Sequence, residues 1–549
     1  MIVRFLVSLL ALLMVAVMGL GLSSCSTTDL RPTIPLAEIQ GKASPEAAMF
    51  VAKQAPLMVS VLVRPDELAA IDAQLIAQGR SPLSAEQLTQ AWLADTGLSY
   101  GRDIQPWVGD EVTLAVTTAD LDRNPENGEQ PGYLLALSST DLQRSEQFVQ
   151  KLWRNQAIAG SDLVFERYAG VTITTHVPSD PEQAPTLASA TVDSFVLLAN
   201  HPKVLQQALN TVQVTNLSIA QDRRYQAALA HGGDRLAVVF VNVPQLLAWL
   251  VPSADPAPFP LLTSLLAGVR STAGGLVIEG SLFSAAGQQM PLSQPLLSAP
   301  VGALQYIPRQ SALVAAGVDL FSSWQQLNAG LAGYRLPQQW LGSLVSDRQT
   351  QWGLDLPQDI LSHLVGEYAI ALLPTTPAFS DWVLVTQSSP ELAEVLQDLD
   401  AVATEQGVSL GRFTLGEQSI TAWATLQPVT EPQLQLAAQV QGVYTSLGNY
   451  TLVASSLRAM QAALAAPAQS FLGDATFQRA IAPFHTPNDG YLYLNWSQLR
   501  GAIAQKIPLL SFITSPKTPL VTDVDEITFT SYGNDSTAQS GEIFLHVGR

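Results

Sequence analysis

One spacing recurs along this chain and constrains its fold more than any other feature. Phe50 to Leu57, FVAKQAPL, matches Tyr306 to Leu313, YIPRQSAL, at a spacing of 306 − 50 = 256 residues. Gly97 to Glu111, GLSYGRDIQPWVGDE, matches Gly353 to Glu367, GLDLPQDILSHLVGE, at the same spacing. The order then stays collinear while the spacing drifts, as loops of unequal length require. SSTDL from Ser138 pairs with SSPEL from Ser388, and VLLANHPKVLQQAL from Val196 with TLVASSLRAMQAAL from Thr451. FVNVPQL from Phe240 pairs with YLNWSQL from Tyr493, and PLLTS from Pro260 with PLLSF from Pro508. Matches at one long period mark a duplicated structural unit. The expected layout is a signal peptide over 1–24, a tether over 25–43, unit A over 44–289, a linker over 290–302 and unit B over 303–549. Met290 to Pro300, with three prolines, marks the boundary.

Each copy reads as short strands alternating with helices. Leu57 to Val63 is an apolar run of strand length, and Pro65-Asp66-Glu67 opens a helix with proline and acids in its first turn. Val112, Leu114 and Val116 alternate with Thr113 and Ala115 as in a half-buried strand, with Tyr133 to Leu137 as hairpin partner. Ser139 is the expected cap of the next helix, with Asp141 near its positive end; Ser389, Pro390 and Glu391 repeat the device. Hairpins running straight into helices predict the α+β class: two tandem copies of an antiparallel sheet with helices packed on one face.

With 549 residues, 47% of them hydrophobic and 13% charged, the chain has ample material for large cores. Its net charge of −19, with no basic cluster, repels phosphate backbones and anionic headgroups, which argues against nucleic-acid binding and against charge-driven membrane binding.

The amino terminus supplies a different route to a membrane. Met1 to Ser24 carries one positive charge, Arg4, then an apolar stretch from Phe5 to Leu22, the layout of a secretory signal. Leu22-Ser23-Ser24-Cys25 resembles the bacterial lipobox, in which small residues precede the cysteine that receives diacylglycerol. Cys25 is the only cysteine in the chain, so no internal disulfide can form and lipidation is its expected role. An uncleaved membrane anchor is the alternative, because about 18 apolar residues reach the lower limit for a span. Ser26 follows, not Asp; by the enterobacterial sorting rule this favours the outer membrane. The expected location is therefore the cell membrane or outer membrane, lipid-anchored and facing the periplasm, or the thylakoid lumen in a photosynthetic cell.

Signals of chemistry are sparse. Gly97-Leu98-Ser99-Tyr100-Gly101 satisfies G-x-S-x-G, but a nucleophile elbow needs a strand before the serine, and the segment from Leu83 to Thr96 has helical periodicity. Gly97 and Gly353 fit the left-handed end of a helix instead. Asp120, Asp122 and Asn124, in the loop from Asp120 to Glu129, offer hard oxygen ligands for calcium. Pro125 stands where an EF-hand loop needs glycine, and the loop over 374–380 carries no acid. The six histidines, His176, His201, His231, His363, His485 and His546, show no metal-ligand spacing. No phosphate or dinucleotide motif follows a strand. Trp107, Trp153, Trp324, Trp340, Trp382 and Trp496 fall in element patterns and are expected in the core. No catalytic, metal or cofactor residues are assigned, and no cofactor is expected.

FVAKQAPL, GLSYGRDIQPWVGDE and DLDRNPENGEQPGYLLAL resemble a bacterial, mostly cyanobacterial, family: domain-of-unknown-function family 3352. The resemblance covers nearly the whole chain after the tether. It implies an exported or membrane-associated protein and carries no functional residue with it. The resulting expectation is a non-enzymatic, lipid-anchored protein that binds a protein partner or acts as a scaffold. Its rivals are a small-ligand-binding protein using the cleft between the copies and, third, a serine hydrolase acting through Ser99.

Overall fold

In a computed structural model, residues 41–75, 97–250, 262–330, 355–506 and 524–547 are described, apart from 123, 125–129, 159, 161, 178–186, 231–232, 273, 286, 291, 375–380 and 430–434. They divide into two compact units, one running through Gln289 and one from Met290 to His546.

The first unit begins with β1 (Leu57–Val61), α1 (Pro65–Leu75), β2 (Val108–Thr118), β3 (Gly132–Ser139), α2 (Leu142–Ile158), β4 (Asp162–Tyr168) and β5 (Val171–Val177). It continues with β6 (Ala188–Val192), β7 (Phe195–Ala199), α3 (Pro202–Gln213), α4 (Arg223–Ala230), β8 (Ala237–Asn242), α5 (Val243–Leu250), β9 (Leu262–Thr272) and β10 (Gly275–Ser284). Its strands pair antiparallel in the order β10-β9-β8-β1-β2-β3-β7-β6-β5-β4.

The second unit opens with β11 (Leu313–Val318), α6 (Leu320–Gly330), β12 (Glu367–Leu372), β13 (Trp382–Gln387), α7 (Pro390–Glu405), β14 (Ser409–Leu415) and β15 (Gln418–Val429). Then come β16 (Gln435–Leu447), β17 (Tyr450–Ala454), α8 (Leu457–Ala465), α9 (Ala475–Ile481), β18 (Gly490–Asn495), α10 (Trp496–Lys506), β19 (Val524–Asn534) and β20 (Ala538–Val547). Its strand order is β20-β19-β18-β11-β12-β13-β17-β16-β15-β14. Adding ten to each strand number of the first unit reproduces it. The class is mixed α+β on antiparallel sheet.

The helices do not gather on one face, as the sequence led us to expect. Neighbouring residues of a strand point to opposite faces. In β7, Val196 packs with Phe148 and Leu152 of α2, whereas the adjacent Phe195 meets the ring of Phe50 at 5.4 Å. Phe50 ends a short 3-10 turn, Ala47–Phe50, beside α3. For the same reason β2 is not half-buried: Thr113 and Ala115 are as closed to solvent as Val112 and Val116. A strand covered on both sides loses its polar face.

One further local expectation is corrected. Asp141, not Ser139, caps α2: its Oδ1 accepts from the Arg144 N–H at 3.1 Å, while the Ser139 hydroxyl accepts only from Asp141 N–H. In the second unit Ser389 does cap α7, accepting from Leu392 N–H at 3.1 Å, with Pro390 as first helical residue. The capping residue of the first unit thus stands two residues further along the chain than the serine that matches Ser389. The described residues of the boundary stretch belong to the second unit, where Ser293 pairs with Asn534 and Leu297 with Asn488.

A glutamate closes each unit's opening turn, fully buried in the first and half-buried in the second. A helical turn leaves its first N–H groups without intrahelical partners. Glu111, on β2, accepts from Ala47 N–H at 2.7 Å and Glu46 N–H at 3.0 Å. Glu367, on β12, accepts from Ala303 N–H at 3.3 Å and from the Tyr450 hydroxyl at 2.7 Å. Burial pushes the Glu111 carboxyl up, against the pull of those N–H groups and of Lys42. Glu111→Ala is expected to cost about 2–4 kcal/mol, by orphaning two donors in a closed site, and Glu111→Gln clearly less. Denaturant unfolding of the two variants side by side is the check.

Candidate functional site in the second unit

Directly opposed residues in a sheet send their side chains to the same face, so a row across the ladder reads out one strip of core. In the first unit one such row is Ala237, Val61, Val112, Leu137 and Val196. All five are buried, and the last three pack with Phe148, Leu152 and Trp107. The row in the same ladder place of the second unit is Gly490, Gly317, Tyr368, Thr386 and Thr451. Five apolar positions have become two glycines, a phenol and two hydroxyls.

Gly317 makes room for the phenol, and Gly490 for the neighbouring backbone of β11. A Cβ at Gly317 would stand 3.1 Å from the Tyr368 hydroxyl and 2.8 Å from the Asp489 carbonyl oxygen. At Gly490, φ is +120° and a Cβ would lie 2.2 Å from the Ala316 carbonyl oxygen, so only glycine fits. Tyr368 itself is closed to solvent. Burial pushes its hydroxyl up to about 12, helped by the nearby charges of Asp319 and Asp489 and opposed by a hydrogen bond with Ser323.

Tyr368 is the member of this row that borders a cleft of about 210 Å³, lined also by Val318, Asp319, Ser322, Ser323, Gln326, Asp489 and Ser531 among others. Asp319 joins β11 to α6 with φ +58°, a left-handed conformation that aspartate tolerates better than most residues. Its Oδ1 accepts from the Ser322 N–H at 2.9 Å and its Oδ2 from the Ser322 hydroxyl, a cap that fixes the carboxylate at the cleft wall. Asp489 precedes β18, and its Oδ2 accepts from the Ser531 hydroxyl at 2.6 Å and from Gly533 N–H at 2.8 Å. Across the opening runs the stretch 292–296, which contributes Leu292, Ser293, Gln294 and Leu296. Gln326 on α6 ties it down through the Ser293 hydroxyl at 3.3 Å. Leu292 and Leu296 are 77% and 66% exposed.

Residues singled out from the sequence lie elsewhere. Cys25 and Gly353 are outside the described residues, as is the segment from Leu83 to Thr96. Gly97 has φ +67°, the left-handed conformation expected of it. Ser99 is followed by a single wide turn, Tyr100–Ile104, and its N–H donates to Asp103 Oδ2 at 2.9 Å. Asp355 N–H donates to Asp359 Oδ2 at 2.7 Å in the same way. The G-x-S-x-G string of the first unit and the segment from Asp355 in the second thus each build a carboxylate-closed turn. Although burial pushes Asp103 up, hydrogen bonds from Arg102, Lys151 and Ser99 N–H prevail and hold its carboxyl at about 2.

In the loop from Asp120 to Glu129 only 120–122 and 124 are described, and Asp120 and Asp122 there accept from Gln130 and Asn124 N–H. Among the described residues no three His, Cys, Asp or Glu side chains cluster as metal ligands. His201 caps α3, its Nδ1 accepting from Lys203 N–H at 3.1 Å, and His231 is outside the described residues. Trp107, Trp153 and Trp496 are core residues, Trp324 and Trp382 are half-buried, and Trp340 is outside the described residues.

Sequence reading did not find the cleft. Its trace was present: at the spacing of 256, Val61 faces Gly317 and Val112 faces Tyr368, an apolar-to-polar exchange inside otherwise matching strings. We expect Gly317→Val alone to destabilise the second unit by about 1–3 kcal/mol through overpacking on Tyr368. Adding Tyr368→Val recreates the apolar pair of the first unit and is expected to recover about 1 kcal/mol or more, as a double-mutant cycle in denaturant would show.

No curated protein matches the chain. Among solved structures, crystal form III of TP0453 is 11% identical with a TM-score of 0.25, covering 45% of this chain and 83% of that one. Crystal form I gives 11% and 0.24, covering 46% and 83%, and crystal form IV gives 12% and 0.24, covering 44% and 81%. Residues 8–547 match the family described as a protein of unknown function, DUF3352, and the chain belongs to that family.

Proposed function

We propose that this protein is a lipid-anchored, extracytoplasmic binding protein without catalytic activity, built by duplication of one α+β unit. The observation that carries the binding role is the exchanged pair: where the first unit packs Val61 against Val112, the second sets Gly317 against Tyr368, whose ring borders an open polar cleft. Trading packed aliphatic side chains for buried hydroxyls sacrifices burial energy of about 1.5–3 kcal/mol per large side chain. A cleft held open at that expense is best accounted for by something that enters it.

The lipid anchor rests on the secretory layout of Met1 to Ser24 and on the single Cys25 behind it. Mass spectrometry of the native protein should find a new amino terminus at Cys25 bearing diacylglycerol, and Cys25→Ser should release the chain from membranes. An intact Met1 or a bare thiol would sink the anchor. For the cleft, native mass spectrometry of the full chain should find a small molecule that is lost in Gly317→Val; an identical bound mass in both would count against it.

A second reading, a protein partner, has its own observation. Strand β4 pairs only with β5 among the described residues, contains no buried residue, and exposes Val164 and Phe165 by 50% and 67%. An open edge with apolar side chains is a template for strand addition. A pull-down from detergent-solubilised membranes should then lose its stoichiometric partner in Phe165→Lys.

A further inference from the structure

Each unit ends its sheet in a strand that is paired on one side alone. β4 and β14 hold equivalent places, and among the described residues β4 pairs only with β5 and β14 only with β15. Neither contains a buried residue. A row of unpaired backbone groups is a template for a further strand.

The turns settle which groups face outward. Tyr168 and Val171 close a two-residue turn at Ala169-Gly170, with φ of +50° and +84°. That pair exchanges backbone bonds, and every second residue back along β4 does the same. Leu163, Phe165 and Arg167 therefore turn their N–H and C=O groups away from β5. Leu415 and Gln418 close the corresponding turn of the second unit, where Gly416 has φ +63°. By the same count Leu410, Arg412 and Thr414 turn theirs away from β15.

Charge decides what fits these edges. β4, with Asp162, Glu166 and Arg167, carries −1, and β14, with Arg412, carries +1. Two β4 strands side by side would carry −1 − 1 = −2 and two β14 strands +1 + 1 = +2, whereas one of each is neutral. The difference matters between copies of a chain whose net charge is −19. When the two strands lie antiparallel over all seven residues of each, outward groups meet outward groups and Phe165 stands opposite Arg412. The guanidinium then has the ring to stack on. Val164 comes opposite Phe413, two apolar side chains that are 50% and 37% exposed in the single chain. No like charges are opposed in this register.

We propose that β4 of one copy of this chain pairs antiparallel with β14 of a second copy, Phe165 against Arg412. This rests on the reading of β4 as an open edge for a protein partner and names that partner.

The test is sedimentation equilibrium of the full chain in density-matched detergent over a concentration series, with Phe165→Lys, Arg412→Glu and the double variant. Wild type is expected to self-associate, and each single exchange to weaken the association about tenfold or more. The double variant sets an introduced lysine against an introduced glutamate and is expected to recover most of that loss. Unchanged unfolding midpoints of the variants are the folding control. Association weakened by only one of the two single exchanges, with no recovery in the double variant, overturns the proposal in favour of that strand pairing with itself. Association that neither exchange moves overturns it in favour of another surface. A monomer at every concentration, beside a co-purifying protein lost in Phe165→Lys, overturns the second copy as partner and leaves the open-edge reading standing. A monomer with no such protein removes both readings.

Discussion

The first strand of each unit lies in the middle of its sheet. β1 is hydrogen-bonded to β2 on one side and to β8 on the other, and β11 likewise to β12 and β18. In sequence, Leu57 and its partner Val241 are far apart, as are Leu313 and Leu494. A unit therefore cannot complete its core until a strand almost at its far end has been made, and the cost of closing that long loop precedes the contacts that reward it. Everything else hangs on this pairing: the turn closed by Glu111 or Glu367, the helices on both faces, and the row of side chains that is apolar core in one unit and brings Tyr368 to the cleft in the other.

On the proposed duplication, the parts kept in both units are those that satisfy backbone groups. Glu111 and Glu367 close the opening turns, and Asp103 and Asp359 close the later ones. An N–H taken from water has to find an acceptor, so a carboxylate with that duty is difficult to replace. Side chains that only fill space have no such constraint, provided that neighbours change together. Val61 with Val112 and Gly317 with Tyr368 are two solutions at one cross-strand position: a small residue faces the large ring, and two medium ones face each other. The second solution leaves space and polarity over the sheet.

Much of this was readable in the residues. The spacing of 256 located the matching segments, Pro65-Asp66-Glu67 marked the start of α1, and Ser389-Pro390 marked that of α7. These are local signals, because caps and proline act within one turn of helix. Reading failed where burial was at issue. Alternation in Val112 to Val116 promised a wet face, yet Thr113 bonds to the Ser60 hydroxyl at 2.7 Å in a closed interior. Ser139 and Asp141 are both residue types that cap helices, and it is Asp141 that accepts from the N–H of Arg144.

The sequence by itself determined the matching strings at a spacing of 256, the mixed class of the elements, the strong acidity and the position of the lone cysteine, since each of these is a property of residue type and order. Tertiary structure alone decided that Asp319, Tyr368, Asp489 and Ser531 share one cleft. They come from a helix cap, two strands and a strand entry. Only antiparallel register, with its two-residue period, brings such distant positions to one face, and a slip of one residue would have buried the same side chains on the other.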